Sequence, residues 1–342
     1  MAFDVRRVET GHDAAGRAVF VSDGEPARTI DVPDSFAVSD LFWLGGYPAD
    51  AAAGGDPPDG PVVLEPPPGG VSVRLIRFPG TEPGTPDDER WIRVDGEDPA
   101  RPGMHATDTL DFMVVLEGEI VLGLDDGEHT LGPGDTVIQR GTMHRWRVAS
   151  ETPCVYAVCM LRTDPGAPAA DVTLAPATAA AAAGGTGIPS AADGPRRLVT
   201  AADADGHSFA LADGPAPGVF RPAGPDGITM VELWQTGGRL GRPDQGGDPD
   251  GPWELEPRGG GMAFRYVEMP VGHDPGEGGW HTTATIDLDL ILSGHLELGL
   301  PDADPVVVGP GESVVQRATH HRWRPVGDEP VRFVALMLAV GD

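Results

Sequence analysis

The sequence predicts an all-β protein that consists of two copies of one small barrel. Three observations support this prediction. Apolar runs along the chain are short and bounded by turn residues, no long stretch has helical periodicity, and a set of motifs occurs twice in the same order. The 342 residues include 49 glycines and 36 prolines, a composition that favours many short strands and turns.

The strand signals are apolar runs of four to eight residues. They lie at 71–78, 112–116, 120–124, 136–139 and 155–161. Turn-forming sequences separate them, namely Glu117-Gly118, Asp125-Asp126-Gly127 and Gly132-Pro133-Gly134-Asp135. Regularly spaced short strands of this kind predict a sandwich or a barrel.

The internal repeat extends over the whole chain. An N-terminal set of residues recurs at a constant offset, and the recurring set is Arg196, Arg197, Thr200, Asp203, Gly206, Asp213 and Gly214. Further along, His105, Asp111 and Gly118 match His281, Asp287 and Gly294, and Gln139 and His144 match Gln316 and His321. Identities in one conserved order indicate a tandem duplication.

The repeat sets the domain boundaries. We predict a first barrel with an N-terminal arm over residues 1–163, a linker rich in Ala, Gly and Pro over 164–194, and a second barrel over 195–342. The offset between the copies falls before the first histidine, which places an insertion at about residues 80–104 of the first copy.

The charge of the chain excludes some classes of partner. There are 53 acidic and 24 basic residues, a formal net charge of −29. Such a surface repels phosphate backbones and anionic lipids, so we expect neither nucleic acid nor membrane as a partner. With no N-terminal apolar segment of the signal-peptide type, and with Cys154 and Cys159 predicted to be buried thiols, the expected location is cytoplasmic.

One strand of each copy carries a row of polar residues on a single face. His105, Thr107, Thr109 and Asp111 alternate with other residues, and Met113 and Val115 continue the same face. The apolar continuation indicates that this face points into the barrel. A polar row on an inner face needs hydrogen-bonding partners or a ligand.

These residues resemble the cupin superfamily. The segment from His105 to Gly118 is similar to the first cupin motif, and Gly134-Asp135 followed by Gly141 and His144 is similar to the second. The second copy repeats both motifs. The resemblance implies a bicupin, which consists of two tandem cupin barrels of the double-stranded β-helix or jelly-roll type, related by a pseudo-twofold axis.

The family pattern is altered at two positions. The usual second histidine of the first motif is Thr107 in one copy and Thr283 in the other, and the usual glutamate is an aspartate. What remains is a set of two histidines and one carboxylate in each copy, which is typical of metal sites with open positions. The predicted metal ligands are His105, Asp111, His144, His281, Asp287 and His321.

Further residues are candidates for the site of the first barrel. Gln139 is a candidate weak ligand or substrate contact, and Trp146 is a candidate stacking surface or a barrel-filling ring. Thr107 and Thr109 complete the predicted catalytic set. For Arg74 and Arg140 we expect structural roles rather than anion binding.

These features predict a divalent-metal, non-haem enzyme acting on a small oxygenated molecule, aromatic or polyketide-like. The leading hypothesis is a dioxygenase or other oxidoreductase that uses Fe(II). Zn, Mn and Ni are the other metals considered. The alternative is a non-redox cyclase, isomerase or lyase of secondary metabolism, with Zn or no metal. A third hypothesis is a ligand-binding bicupin without catalysis, and a homodimer is left open.

The two barrels are not equivalent in sequence. The insertion at 80–104 leads directly into His105, where a lid that excludes water would be well placed. We therefore predict that the first barrel holds the principal catalytic site. The opposing interpretation is that the segment is only an acidic surface loop.

Overall fold

The computed structural model describes residues 3–86, 89–95, 97–164, 166–167, 187–222, 224, 226–249 and 252–341. Within these ranges the regular structure is almost entirely β, with short 3-10 helices at Ala191–Asp193, Arg258–Gly260 and Gly276–Gly279. Most of the predicted linker, residues 168–186, lies outside the described residues. No helix in the described ranges is long and apolar enough to cross a membrane.

The first half of the chain forms eleven strands. They are β1 (Arg7–His12), β2 (Ala18–Gly24), β3 (Thr29–Val32), β4 (Phe36–Leu44), β5 (Val71–Phe78), β6 (Thr109–Glu117), β7 (Ile120–Gly123), β8 (Glu128–Leu131), β9 (Thr136–Arg140), β10 (Arg145–Val148) and β11 (Cys154–Arg162). Every apolar run predicted as a strand lies within or overlaps one of these, and the all-β prediction is confirmed.

The second half repeats this order. Its strands are β12 (Arg196–Ala202), β13 (Ser208–Pro215), β14 (Gly218–Phe220), β15 (Thr229–Thr236), β16 (Met262–Met269), β17 (Thr285–Ser293), β18 (His295–Gly299), β19 (Val306–Val308), β20 (Ser313–Arg317), β21 (Arg322–Val326) and β22 (Val331–Ala339).

Each half is a barrel made from a large and a small sheet. The large sheet of the first barrel has the order β13-β12-β9-β6-β11-β5-β4-β3, and its small sheet is β10-β7-β8. Side chains from both sheets share one apolar core, which includes Met113, Leu122, Leu131 and Val148. The second barrel has the same arrangement, with β14-β15-β16-β22-β17-β20-β1-β2 facing β19-β18-β21. This matches the predicted pair of jelly-roll barrels.

The two halves exchange their first hairpins. Strand β1 of the first half pairs in parallel with β20 of the second, and β12 pairs in parallel with β9. Leu198 of β12 is therefore buried in the core of the first barrel, and Val8 of β1 in that of the second. The boundaries predicted at 163 and 195 divide the repeats, whereas the sheets extend across them.

The large sheets pack face to face and bury the strands on both sides. Leu110, Phe112 and Val114 point towards the other half, while the residues between them point into the barrel. At the centre, Phe112 and Phe264 stack with ring centroids 5.0 Å apart. This inter-sheet core explains why residues 112–116 of β6 form a continuous apolar run rather than an alternating one.

The buried arginines brace the sheets. Arg74 donates to Asp40 at 2.7 Å, and Arg265 donates to Glu232 at 2.9 Å, with both pairs almost fully enclosed. Arg140 donates to the backbone oxygens of Thr200, at 3.2 Å, and Asp244, at 2.6 Å, in the other half. Each of these guanidinium groups therefore has a structural partner, in agreement with the role expected from the sequence.

One ion pair across the exchanged hairpin should make stability depend on pH. His129 of β8 lies 3.3 Å from Asp213 of β13, and this hydrogen bond raises the pKa of His129 above its usual 6.5. A raised histidine pKa stabilises the fold below the unfolded value, and the contribution is lost as pH rises through the folded value. His129→Gln should lower the free energy of unfolding at pH 5.5 by at most about 1 kcal/mol, and much less at pH 8.5.

Urea unfolding monitored by circular dichroism at both pH values measures this difference. The matched control is His12→Gln, which replaces an exposed histidine at the end of β1. An equal loss at both pH values for His129→Gln would contradict the ion-pair account.

Candidate functional site

The first barrel brings two histidines of distant sequence together. His105 precedes β6 and His144 precedes β10, and their backbones form an isolated antiparallel bridge with N–H···O distances of 2.9 and 2.8 Å. Their imidazole centroids are 4.3 Å apart. His144 is buried and His105 is partly buried, so the pair lies at one end of the barrel.

The protein occupies one nitrogen of each ring. Nδ1 of His105 donates to the carbonyl oxygen of Gly103 at 2.8 Å, and Nδ1 of His144 lies 2.9 Å from that of Thr142. A carbonyl only accepts, so the contact of His105 favours a hydrogen on its Nδ1 and a lone pair on its Nε2. Burial lowers the pKa of His105, and burial together with His105 lowers that of His144 to about 3, so both rings are neutral at pH 7.

Gln139 contacts the imidazole ring of His144. Its amide nitrogen donates to the carbonyl and hydroxyl oxygens of Thr142, at 3.0 and 2.8 Å, and lies 2.7 Å from Nδ1 of His144. Its Oε1 is buried and has no hydrogen-bond partner in the described structure. Gln139 thus holds the histidine loop and leaves one acceptor unused inside the barrel.

Asp111 lies in register opposite Gln139 on the neighbouring strand. Its side chain is buried, its Oδ1 has no partner among the described residues, and burial raises its pKa to about 7. The donor atoms of His105, Asp111 and His144 do not all lie within 4.8 Å of one another, and the same holds for the trio of the second barrel. Aspartate is one methylene shorter than the glutamate of the family pattern, so its carboxylate reaches less far; its ligand role stays a prediction.

The two threonines of the polar row form a hydrogen bond with each other. Thr109 donates its hydroxyl to Thr107 at 2.7 Å, and both side chains are buried. Trp146 presents its ring to the edge of His144, with centroids 5.9 Å apart, and packs against the barrel core. The structure therefore places all seven predicted residues of the first barrel on one inner region, while the chemical roles of these residues stay predictions.

The second barrel repeats the histidine geometry. His281 and His321 have centroids 4.3 Å apart, and their Nδ1 atoms lie 2.9 Å from the carbonyl oxygens of Gly279 and Thr319. Burial lowers the pKa of His321 to about 3, and burial raises that of Asp287 to about 6. Oδ1 of Asp287 has no partner among the described residues.

The barrels differ one step further along the same strand face. Asp289 is buried in the second barrel, where the first has Met113. Burial and the neighbouring Asp287 raise the pKa of Asp289 well above its usual value. The inner region of the first barrel is thus the more apolar one.

Two tryptophans that the repeat does not align occupy equivalent places. Trp91 of the insertion stacks under Arg145, with the guanidinium 3.7 Å from the ring centroid, and Trp280 stacks under Arg322 at 5.0 Å. The matched arginines were visible in the repeat, but the tryptophans reach them along loops of different length. The insertion packs against β10, where the amide of Ile92 donates to the carbonyl of Trp146 at 2.8 Å.

Thr142 and Thr319 were not singled out from the sequence, although both occur two residues before a site histidine. That shared spacing was the signal available. The sequence analysis also missed one other set, which consists of Asp203, Asp205 and His207. It is the only His, Cys, Asp or Glu trio in the described ranges whose donor atoms all lie within 4.8 Å of one another. They are exposed in the β12–β13 turn, where Asp203 accepts from the backbone amides of the other two.

Comparisons with known proteins agree with this description. The Cupin domain family matches residues 92–160. Phomopsin biosynthesis cluster protein C' of Diaporthe leptostromiformis is 37% identical over 154 residues, which covers 43% of this chain and 71% of that protein. The cupin-domain-containing oxidoreductase srdB of Neurospora crassa is 33% identical over 153 residues, 43% of this chain and 68% of that protein.

Among solved structures, the putative glyoxylate-induced protein of Pseudomonas aeruginosa aligns with a TM-score of 0.45 and 12% identity, over 90% of this chain and 83% of that one. Two jelly-roll barrels, each with a histidine pair at one end, define the class of this protein as a bicupin. The chain belongs to the cupin family, and proteins named cupin-domain oxidoreductases are among its relatives.

The paired tryptophans generate a stability prediction. Trp91 is 6% exposed, whereas Trp280 is only half-buried. Trp91→Ala should lower the free energy of unfolding by about 3 kcal/mol, because it empties a buried ring position. Trp280→Ala should cost clearly less. Urea unfolding of the two variants in parallel measures both losses, and equal losses would contradict the packing difference.

Proposed function

We propose that this protein is a divalent-metal, non-haem oxidoreductase that acts on a small oxygenated organic molecule, with a dioxygenase as the leading reaction class. The observation that carries the proposal is the histidine pair of each barrel, in which Nδ1 of His105 and of His281 contacts a backbone carbonyl and leaves Nε2 free to bind an ion. The relatives named oxidoreductases, and those of biosynthesis clusters, favour redox chemistry in secondary metabolism.

The atoms available in the first barrel partly match the ligands of a divalent-ion site. Two neutral imidazoles held by backbone carbonyls are typical of metal-ligating histidines. Oδ1 of Asp111 and Oε1 of Gln139 are buried and have no hydrogen-bond partner among the described residues, as expected of oxygens that could bind a ligand. His105 and His144 would hold the ion, with Asp111 as the anionic donor. Fe(II) is favoured, and Zn, Mn and Ni fit the same atoms.

A bound Fe(II) would supply open coordination positions for substrate and dioxygen. Residues of this chain would orient the ligands. Gly103 and Thr142 orient the imidazoles, and Gln139 fixes the loop of His144. Trp146 and Met113 limit water at the apolar side of the site.

The apolar surroundings favour an aromatic or polyketide-like substrate over a dicarboxylate. Met113, Val115 and Trp146 belong to the core that adjoins the histidines of the first barrel. Arg74 and Arg140, the arginines considered for anion binding, already have buried partners. One polar end next to an apolar wall is the usual form of a site for such ligands.

A non-redox cyclase, isomerase or lyase is the second candidate. It is favoured by the wide spacing of the three donor atoms and by the pKa of about 7 at Asp111, which suits an acid–base group at neutral pH. In that case the carboxyl of Asp111 would exchange protons with the substrate and the histidines would orient it.

Metal titration tests the proposed ligands. Protein purified without chelator and titrated with Co(II), followed by visible absorbance, should bind about two ions per chain, and His144→Ala and His321→Ala should each remove about one. The matched control is His12→Ala, an exposed histidine outside both pairs. Unchanged stoichiometry in both folded variants would rule out the histidine pairs as the metal sites.

Oxygen consumption tests the reaction and its location. Fe(II)-loaded protein should consume dioxygen with phenolic or polyketide-like compounds and not with small dicarboxylates. We propose that the first barrel is the principal site, so His105→Ala should lower turnover by more than about a hundredfold and His281→Ala much less. The reverse pattern would transfer the assignment to the second barrel. Turnover that persists without dioxygen would favour the non-redox candidate.

A further inference from the structure

Asp289 places an acid inside the second barrel. It lies in β17, where Leu288 and Leu290 point towards the other half and Ile291 belongs to the core of the second barrel. Strand alternation therefore directs the side chain of Asp289 into the barrel. The residue is 5% exposed, and the aligned residue of the first barrel is Met113. The two barrel interiors thus differ by one carboxyl group.

The described residues offer this carboxyl no partner. None of them donates a hydrogen bond to Asp289 or forms an ion pair with it, and the charged group that acts on it is Asp287, which has the same sign. Arg265, a buried arginine of the same large sheet, is already bonded to Glu232 at 2.9 Å. A buried carboxylate without donors or a counter-ion is energetically costly. The partner that these residues do not supply is one that a ligand can supply.

A second oxygen without a partner faces the same interior. Oδ1 of Asp287 is buried and has no hydrogen-bond partner among the described residues. Asp287 lies two residues before Asp289, so the two side chains share one face of β17, with their Cα atoms about 7 Å apart. Both positions can therefore accept hydrogen bonds from one group inside the barrel.

The second barrel also has smaller apolar side chains than the first. The cross-strand neighbour of Asp289 on β22 is Ala335, at the position of Val158 in the first barrel. In the facing small sheet, Val308 takes the position of Leu131. Both replacements remove carbon atoms from the interior that holds the acid, which gives a small ligand more room than the first barrel offers.

We propose that the second barrel binds a small, otherwise apolar molecule through a primary ammonium group, for which Asp289 is the counter-ion. An ammonium group presents three hydrogen-bond donors and one positive charge in a small volume. The apolar core of this barrel, which includes Leu298 and Val314, contacts the remainder of the ligand. The first barrel has Met113 at this position and therefore does not bind the ammonium ligand. The inference goes beyond the proposed reaction of the first barrel.

Three probes of similar shape and different charge test the proposal. At neutral pH benzylamine is cationic, benzyl alcohol is neutral and benzoate is anionic. Isothermal titration calorimetry of the full chain in about 150 mM salt should give saturable binding of benzylamine at one site per chain, with a dissociation constant below about 1 mM. Benzyl alcohol should bind at least about tenfold more weakly, because it lacks the charge, and benzoate should not bind.

Two pairs of variants locate the binding. Asp289→Asn keeps the shape and removes the charge, so it should weaken benzylamine binding at least about tenfold. Asp205→Asn removes an exposed carboxyl of the β12–β13 turn and should leave binding unchanged. Ala335→Val restores the larger side chain of the first barrel and should weaken binding about fivefold by occupying space. Its control is Ala303→Val in an exposed turn, which should have no effect.

Circular dichroism first checks that each variant is folded. If Asp289→Asn does not fold, Asp289→Met, which installs the residue of the first barrel, provides the same loss of charge.

Three outcomes would overturn the proposal. They are no saturable binding of benzylamine, equal binding of benzyl alcohol, and benzylamine binding that survives the removal of the Asp289 charge. The last result is expected if the amine coordinates an ion at the histidines or is attracted to the acidic surface. Because the calorimetry requires neither a bound metal nor turnover, its outcome is independent of the metal titration and the oxygen-consumption assay that test the proposed function.

Discussion

The parallel pairing of β1 with β20, and of β12 with β9, is the constraint on which the rest of the structure depends. Each hairpin leaves its own half and closes the large sheet of the other. In doing so it brings Thr200 to the backbone amide of Arg140 at 3.0 Å, and Thr10 to that of Arg317 at 3.1 Å. An edge strand that stays unpaired would expose its backbone groups, so each barrel needs the hairpin of the other.

The exchange also reaches the histidine sites. Thr142 donates its hydroxyl to Thr200 at 3.0 Å, and the equivalent Thr319 donates to Thr10 at 2.9 Å. The carbonyls of Thr142 and Thr319 lie against the imidazoles of His144 and His321. The loop that orients one histidine of each barrel is therefore anchored in the other half, and the stacked sheets between the barrels make the two halves one packed unit.

Duplication has left the same scaffold with different surroundings. Inside, the second barrel buries an additional acid at Asp289 where the first has Met113. Outside, the second half forms hydrogen bonds with Pro189 and Ala191, and a cavity lies beside the first barrel. The histidine pairs have the same geometry in both barrels, whereas their surroundings have diverged.

The sequence by itself determined the all-β class, the duplication, five strands of the first copy and the inward face of His105 to Asp111, because strand alternation and repeat spacing are local patterns. The sequence could not predict the hairpin exchange, because no local pattern specifies which sheet β12 joins. Only the tertiary structure showed that Trp91 and Trp280 occupy equivalent positions. It also showed that the donor atoms of Asp111 and the two histidines do not form a compact trio, and that a cavity is present beside the first barrel. Those outcomes depend on side-chain reach and on contacts between residues far apart in the chain, which no spacing along the sequence encodes.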